Sequence, residues 1–214
     1  MRKFSGTAAN DFFTVGCTGR TVYVFDRTGN ELAKFRDIPY GYRPLLCPKQ
    51  NILAVKSNAG WLAFYNLDHL SLIKKIRFSK QLAQDSGFCF SKDGKYLYNL
   101  ENIDSDLSYE IARYDLNTIE RATIIPSRPK CIFRQIGYSA QLHTYCILGT
   151  THCTDTLFTQ TGPFIAYFNG QEITDVYSVT EHEDYNHFMQ LTTEINSNCV
   201  TSSSINKENT YGQN

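Results

Sequence analysis

Side chains that could bind a metal or transfer protons are concentrated in three segments of this 214-residue chain. They are the set His143, Cys146, His152 and Cys153, the run "TEHEDYNH" over residues 180–187, and the run "LENIDSDL" over residues 100–107. Zinc requires nitrogen or sulfur ligands that converge tetrahedrally, but His143 and Cys146 should point to opposite faces of a predicted strand. The acidic run lacks the pattern of a calcium-binding loop. We therefore predict no metal site, and we interpret these segments as buried thiols and solvated turns.

Sequence signatures of nucleophilic catalysis and of phosphate binding do not occur in the chain. It has no G-x-S-x-G elbow and neither of the glycine-rich phosphate loops. The run "SKDGK" over residues 91–95 contains a glycine, but it is typical of a hairpin turn in which Asp93 and Gly94 have positive φ. We predict no catalytic residue and no cofactor.

Composition excludes several classes of partner. Lys plus Arg and Asp plus Glu each number 21, so the formal net charge is zero, whereas nucleic acids and anionic membranes favour a basic excess. No apolar stretch approaches the roughly 20 residues of a membrane-spanning helix, and no signal peptide is visible at the start. The seven cysteines are an odd number and most lie in apolar runs, which favours free thiols in the cytoplasm.

Four segments align on an aromatic residue followed by Asp or Asn. They are "VYVFDRTGNELAKF" from Val22, "LAFYNLDHLSLIKKI" from Leu62, "IARYDLNTIERATII" from Ile111 and "IAYFNGQEITDVYSV" from Ile165. Each is predicted to be a strand, a turn and a second strand. Three segments carry alanine two places before the aromatic residue, where a neighbouring sheet could approach closely; Tyr23 replaces it in the first segment.

Further strand-like runs lie upstream of each segment, so each unit offers about four strands, and no long stretch keeps a helical period. The first unit opens at the strand from Phe12 and lacks an obvious strand before it. We therefore predict an all-β fold of four-stranded antiparallel sheets that stack face to face around an axis.

The run "FCFSKDGKYLYNL" from Phe88 resembles the F-S-P-D-G-K-Y-L turn of WD-repeat and YVTN-type β-propellers. The pairs Phe25-Asp26 and Tyr114-Asp115 resemble the Trp-Asp dipeptide of such repeats. The resemblance covers roughly residues 10–180 and implies a β-propeller of about four blades. Three arrangements stay open: a closed ring, a partial ring, and one half of a dimeric ring.

The resemblance also bears on the domain boundaries. Residues 1–195 are predicted to form one propeller-like domain. If "HFMQLTTEI" over residues 187–195 pairs with the N-terminal unit, the ring closes. The polar segment 196–214 is expected to be a disordered tail.

Propellers of this kind bind ligands with the loops that enter each blade. In this chain these loops carry aromatic and charged residues of types common at binding hot spots: Tyr40, Tyr42, Arg43, Arg128, Lys130, His182, Asp184 and Tyr185. The alternative for Tyr40 and Tyr42 is packing against the neighbouring sheet. The long segment 150–163 is a further candidate loop.

We predict a non-enzymatic scaffold that binds a protein or peptide, as a monomer or homodimer, and neither nucleic acid nor membrane. One alternative is a propeller-type hydrolase, lactonase or lyase with His, Asp and Glu in the central channel. A small-molecule sensor is a second alternative.

Overall fold

The computed structural model describes residues 3–179, and every regular element in this range is a β-strand. Sixteen strands form four antiparallel sheets of four strands each, and in every sheet the spatial order equals the chain order. The predicted all-β class and the four-stranded antiparallel sheets are therefore confirmed. Among the described residues, no helix has the length and apolar character needed to cross a membrane.

The sheets are named I to IV along the chain. Sheet I contains β1 (Gly6–Ala9), β2 (Phe13–Cys17), β3 (Val22–Asp26) and β4 (Glu31–Phe35). Sheet II contains β5 (Gly41–Leu46), β6 (Ile52–Ser57), β7 (Trp61–Asn66) and β8 (Ser71–Arg77). Sheet III contains β9 (Phe88–Phe90), β10 (Tyr96–Asn102), β11 (Tyr109–Asp115) and β12 (Arg121–Arg128). Sheet IV contains β13 (Cys131–Ser139), β14 (Thr144–Thr151), β15 (Gly162–Phe168) and β16 (Ile173–Ser178).

Short polar turns fix the hairpins between consecutive strands. After β3, the Asp26 carboxylate accepts hydrogen bonds from the backbone N–H groups of Thr28 and Asn30, both at 2.9 Å. The side chains of Thr28 and Asn30 also donate to this carboxylate, at 2.7 and 2.9 Å. These side-chain bonds, with a smaller effect of the backbone bonds, stabilise the ionised carboxylate and lower the pKa of Asp26 to about 2. The predicted hairpin between β9 and β10 is confirmed, but of its two expected positive-φ residues only Gly94 has one, at 71°.

The four aligned sequence segments form the third and fourth strands of the four sheets. Ala63, Ala112 and Ala166 lie on β7, β11 and β15 and are fully buried. A small side chain at this position lets the preceding sheet approach, because a larger one would need space that close packing does not leave.

Apolar faces pack between consecutive sheets. One hydrophobic cluster joins sheets I and II through residues such as Val24 and Tyr65. A second joins sheets II and III through Phe64 and Tyr114, whose ring centroids are 5.8 Å apart. A third joins sheets III and IV and includes Phe168. Within residues 3–179 no hydrophobic cluster joins sheet IV to sheet I.

The first strands of sheets II, III and IV are mostly buried or half-buried, whereas half of β1 is exposed and the fourth strands face solvent. β5 contacts β1 and β2, and β13 contacts β9, β10 and β11. In β8 every residue but one is exposed, and charged residues protect this free edge from pairing with another chain. The prediction that sheet I lacks a first strand is wrong, because β1 pairs with β2 from Gly6 to Ala9.

The outer face of sheet I differs from the corresponding face of the other sheets. Here Tyr23 stands where they have alanine, and its ring stacks on Phe25 with centroids 6.2 Å apart. Phe4 contacts both rings edge-on and lies over Gly16. Aromatic side chains from the N-terminal segment thus cover the face that a preceding sheet covers elsewhere.

Candidate functional site

A cavity of about 360 Å³ lies where the first strands of sheets II, III and IV meet. We call it the axial cavity. Its apolar lining comes from all three strands: Leu45, Leu46, Phe88, Cys89, Phe90 and Ile136, with Pro48. Its polar lining consists of Arg43, Ser91, Lys92, Gln135 and Tyr138, with Gly137 completing the wall. A mainly apolar cavity of this size with a few polar groups is typical of ligand sites.

Arg43 and Gln135 bridge the cavity wall between two sheets that are not neighbours. Arg43 lies on β5 and donates a hydrogen bond of 3.1 Å from Nη2 to Oε1 of Gln135 on β13. Sheet III is inserted between these two sheets in the chain order. The bond therefore ties sheets II and IV together past sheet III.

The turn after β9 supplies the second cation of the lining. The Ser91 hydroxyl accepts hydrogen bonds from the backbone N–H groups of Lys95 and Tyr96, at 3.1 and 2.9 Å, which fixes this turn. The Lys92 ammonium lies 5.3 Å from the centre of the Tyr138 ring. A second cavity of about 350 Å³ shares Ser91 and Lys92 and extends between sheets III and IV.

A fully buried lysine stands directly opposite Arg43. Lys56 on β6 is the cross-strand partner of Arg43. Its Nζ donates hydrogen bonds to Oγ of Ser86 at 3.0 Å and to the carbonyl oxygen of Leu100 at 2.6 Å. Burial disfavours the ammonium and lowers the pKa of Lys56 to about 7, although the charge of Glu101 opposes this effect.

Glu101 belongs to a separate buried polar network in sheet III. Its carboxylate accepts hydrogen bonds from the Tyr114 hydroxyl at 2.7 Å, the Asn99 amide at 2.9 Å and the Arg121 guanidinium at 2.8 Å. Arg121 also pairs with Glu110. Burial raises the pKa of Glu110, and the positive charge of Arg121 opposes the rise. Because every partner of Glu101 is a donor within the same sheet, this network stabilises sheet III.

The structure places the predicted binding residues of the first loop in two different elements, the loop itself and strand β5. Tyr40 lies in the loop before β5 with a φ of 53° and is 62% exposed. Tyr42 and Arg43 were predicted in this loop, but they lie on β5 because the strand begins at Gly41. The Tyr42 hydroxyl donates to the carbonyl oxygen of Gln84 at 2.7 Å, and burial raises its pKa. Tyr42 therefore has a packing role, as the alternative interpretation predicts, and Arg43 lines the axial cavity.

The predicted third loop is mostly strand. Arg128 is the last residue of β12, and its guanidinium pairs with Asp155 and lies 5.6 Å from the centre of the Phe158 ring. Lys130 is exposed in the short turn before β13, with a φ of 54°. The predicted placement of Arg128 in a loop is wrong, because this residue ends β12 and pairs with Asp155. A binding role for Arg128 and Lys130 stays a prediction. The predicted residues His182, Asp184 and Tyr185 lie outside the described residues.

The long candidate loop is shorter than the sequence indicates. β14 extends to Thr151 and β15 begins at Gly162, so the loop covers residues 152–161. Phe158 from this loop is buried against Phe164, with ring centroids 4.6 Å apart. The loop is thus anchored to sheet IV.

Sequence reasoning missed most residues of the axial cavity. Gln135 carries no motif, and the run "SKDGK" that contains Lys92 indicated a hairpin turn and not a cavity; only the apolar runs around Phe88 and Ile136 indicated that their strands are internal. Lys56 falls in "ILAVKS", where a charged residue within an apolar strand was the available signal of a special environment.

Metal binding finds no support in the part of the chain that the structure covers. Among residues 3–179, no three His, Cys, Asp or Glu side chains are grouped so that they could hold a metal ion. The six cysteines described there are free thiols, and only Cys153 is exposed.

Comparison with known proteins adds no functional assignment. No protein-family model matches the sequence, and the search of curated proteins gives no match either. The candidate site therefore rests on geometry and chemistry.

Proposed function

We propose that the four sheets are blades of a β-propeller similar to the WD-repeat and YVTN types. Three observations support this. Consecutive sheets share hydrophobic clusters, three first strands line one cavity, and the Arg43–Gln135 bond joins sheets II and IV. Radial stacking explains all three, because it buries both faces of an internal sheet and brings the first strands together.

Ring closure can be tested by size-exclusion chromatography with light scattering. A closed ring of about four blades predicts a monomer of 24.5 kDa. A clean dimer would contradict the closed monomer and favour a ring shared by two copies.

We propose further that the chain is a non-enzymatic binding module in the cytoplasm whose axial cavity receives part of a protein or peptide partner. The observation that carries this proposal is the cavity itself, at about 360 Å³ with a mainly apolar lining and few polar groups. This volume is near the lower end of the range of roughly 300–1,000 Å³ for ligand sites, so it suits one or two side chains. The free thiols support a reducing compartment.

The cavity extends toward the turns that follow the first strands, which contribute Pro48 and Lys92. The loops predicted to bind, which carry Tyr40 and Lys130, precede the first strands. A partner seated at the cavity would therefore contact the end of the blades opposite to those loops.

A cavity-filling variant tests the proposal. Leu45 is half-buried in the cavity wall, so Leu45→Trp should fill it, whereas Leu72→Trp adds the same ring on the exposed β8. Selection from a displayed random-peptide library should enrich peptides that bind wild-type protein and Leu72→Trp but not Leu45→Trp. Equal binding by all three proteins would show that the cavity is not the site.

A small-molecule ligand is the second candidate, because the cavity volume also suits one. A thermal-shift screen with a metabolite panel tests it, and a hit should disappear in Leu45→Trp. The hydrolase or lyase alternative requires acidic or imidazole groups near the axis. Among the described residues, the lining of the axial cavity contains no His, Asp or Glu.

A further inference from the structure

We propose that the axial cavity binds the carboxylate of an acidic side chain on a protein partner, and that Arg43 is the residue that binds it. This inference rests on the proposed function and specifies the chemistry of its site. It concerns a partner whose acidic residue is flanked by apolar ones.

Arg43 is a half-buried cation with a neutral partner. Its Nη2 donates to the amide oxygen of Gln135, and within residues 3–179 it forms no ion pair. By contrast, the guanidinium groups of Arg121 and Arg128 each pair with a carboxylate. A guanidinium has five N–H donors in a planar fork that matches a carboxylate. Arg43 also has a side-chain hydrogen bond to Tyr42, so the donors beyond the bonds to Gln135 and Tyr42 are left for a ligand.

The surroundings of Arg43 are positive. Lys56 is its direct cross-strand partner, and like charges in this position repel each other. Lys92 adds a further cation to the lining. Glu101 is the acid whose charge acts most strongly on Lys56. It does not line the cavity, and its carboxylate accepts hydrogen bonds from Arg121, Tyr114 and Asn99. The charges of Glu101 and Asp85 oppose the effect of Arg43 on Lys56 and balance part of this repulsion, and an anion at Arg43 would add to that balance.

The walls favour a carboxylate carried on a side chain. Leu45, Phe88, Phe90 and Ile136 offer apolar surface beside the guanidinium. The methylene groups of Glu or Asp and a neighbouring apolar residue would bury surface there, while the low-dielectric walls strengthen the attraction between the charges. The cavity therefore matches both parts of such a side chain.

Matched peptide arrays test the inference. Each pair of nonapeptides has the same random neutral sequence, blocked termini, and either Glu or Gln at the centre. Wild-type protein should bind Glu members at least about tenfold more tightly than their Gln partners, as a charge-assisted hydrogen bond predicts. Arg43→Gln should reduce this ratio to about one, whereas Arg27→Gln, which removes an exposed guanidinium in the turn after β3, should leave it unchanged.

Arg43→Lys retains the charge but loses the planar fork, so the ratio of affinities for Glu and Gln members should fall several-fold and stay above one. If Arg43→Gln does not fold, Arg43→Lys still tests the role of Arg43. If wild-type protein binds Glu and Gln members equally and Leu45→Trp binds neither, the inferred recognition of a carboxylate is overturned, whereas the proposed binding function stands. A Glu preference that persists in Arg43→Gln would overturn the role of Arg43. A third array with a neutral centre and a free C-terminus tests the terminal carboxylate, and a preference confined to that array would overturn the side-chain assignment. Absence of binding to every array would overturn the function and the inference together.

Discussion

The Nζ atom of Lys56 lies 3.0 Å from Oγ of Ser86, at a point between sheets II and III where neither residue is in contact with bulk water. Both groups also bond the carbonyl oxygen of Leu100, each at 2.6 Å. The loop between β8 and β9 carries Ser86, so these bonds tie that loop to both sheets. The arrangement holds a titratable group in the interface between sheets II and III, which makes stability depend on pH.

Stability should rise with pH in the range where Lys56 loses its proton. Burial lowers the pKa of Lys56 from 10.5 to about 7 in the folded chain. Between these values the unfolded chain binds more protons, so the free energy of unfolding increases with pH, by at most about 1.4 kcal/mol per pH unit. Urea denaturation between pH 7 and 8, below the ordinary cysteine pKa of about 8.5, measures this slope.

Lys56→Met provides the control, because it keeps the length of the side chain without the charge. The difference in slope between the two proteins isolates the lysine. Identical slopes in the two proteins would contradict the lowered pKa of Lys56.

Removing Arg121 should destabilise sheet III strongly. Arg121→Met leaves the fully buried Glu101 carboxylate without its cation. Breaking one partner of a buried pair costs about 3–5 kcal/mol, and chemical denaturation should show a loss of this size. The double variant Arg121→Met with Glu101→Gln should recover part of the lost stability, because no unpaired buried charge then remains. A double variant less stable than the single one would argue against this network.

A larger side chain at the buried alanine position should disturb the interface between sheets II and III. Ala112 is fully buried in the cluster that includes Phe64 and Tyr114. Ala112→Leu should therefore lose about 1–3 kcal/mol of stability. The matched variant Ala122→Leu lies on the exposed β12 and should stay within about 0.5 kcal/mol of wild type. Equal thermal midpoints for the two variants would refute the close approach of the sheets.

Gly6 should not tolerate a side chain. A Cβ at this position would overlap the backbone carbonyl oxygen of Tyr42, because β1 and β5 run close together. We expect Gly6→Ala to lower stability by about 1–3 kcal/mol. Thr7→Ala on the same strand is the control, since Thr7 is exposed. If both variants melt with wild type, the packing of β1 on sheet II is wrong.

Cysteine reactivity should follow burial. Burial raises the pKa of Cys17 and Cys131 to about 12 and that of Cys146 to about 11, which suppresses the reactive thiolate. Cys153 is exposed. Brief alkylation of native protein at pH 8 followed by peptide mass spectrometry should therefore modify Cys153 far faster than these three. Comparable labelling of Cys17 before denaturant is added would contradict the packing of sheets I and II.

Local sequence patterns were sufficient to predict most strands and turns. Alternating apolar residues and polar turns such as Asp26 to Asn30 extend over only a few residues, so hairpins could be predicted from the sequence. The strand β1 was missed because Gly6, Ala8 and Ala9 have weak strand preference. Its pairing with β2 and its contact with β5 stabilise it instead.

Sequence patterns alone were sufficient to predict the all-β class, the number of strands in most sheets, and the alanines that let sheets approach each other. The position of Arg43 on β5, and its hydrogen bond to Gln135, which is 92 residues away in the chain, follow instead from the packing of the sheets. Strand pattern depends on neighbours along the chain. The meeting of two side chains from different sheets depends on how those sheets twist and stack, and no local signal contains that information.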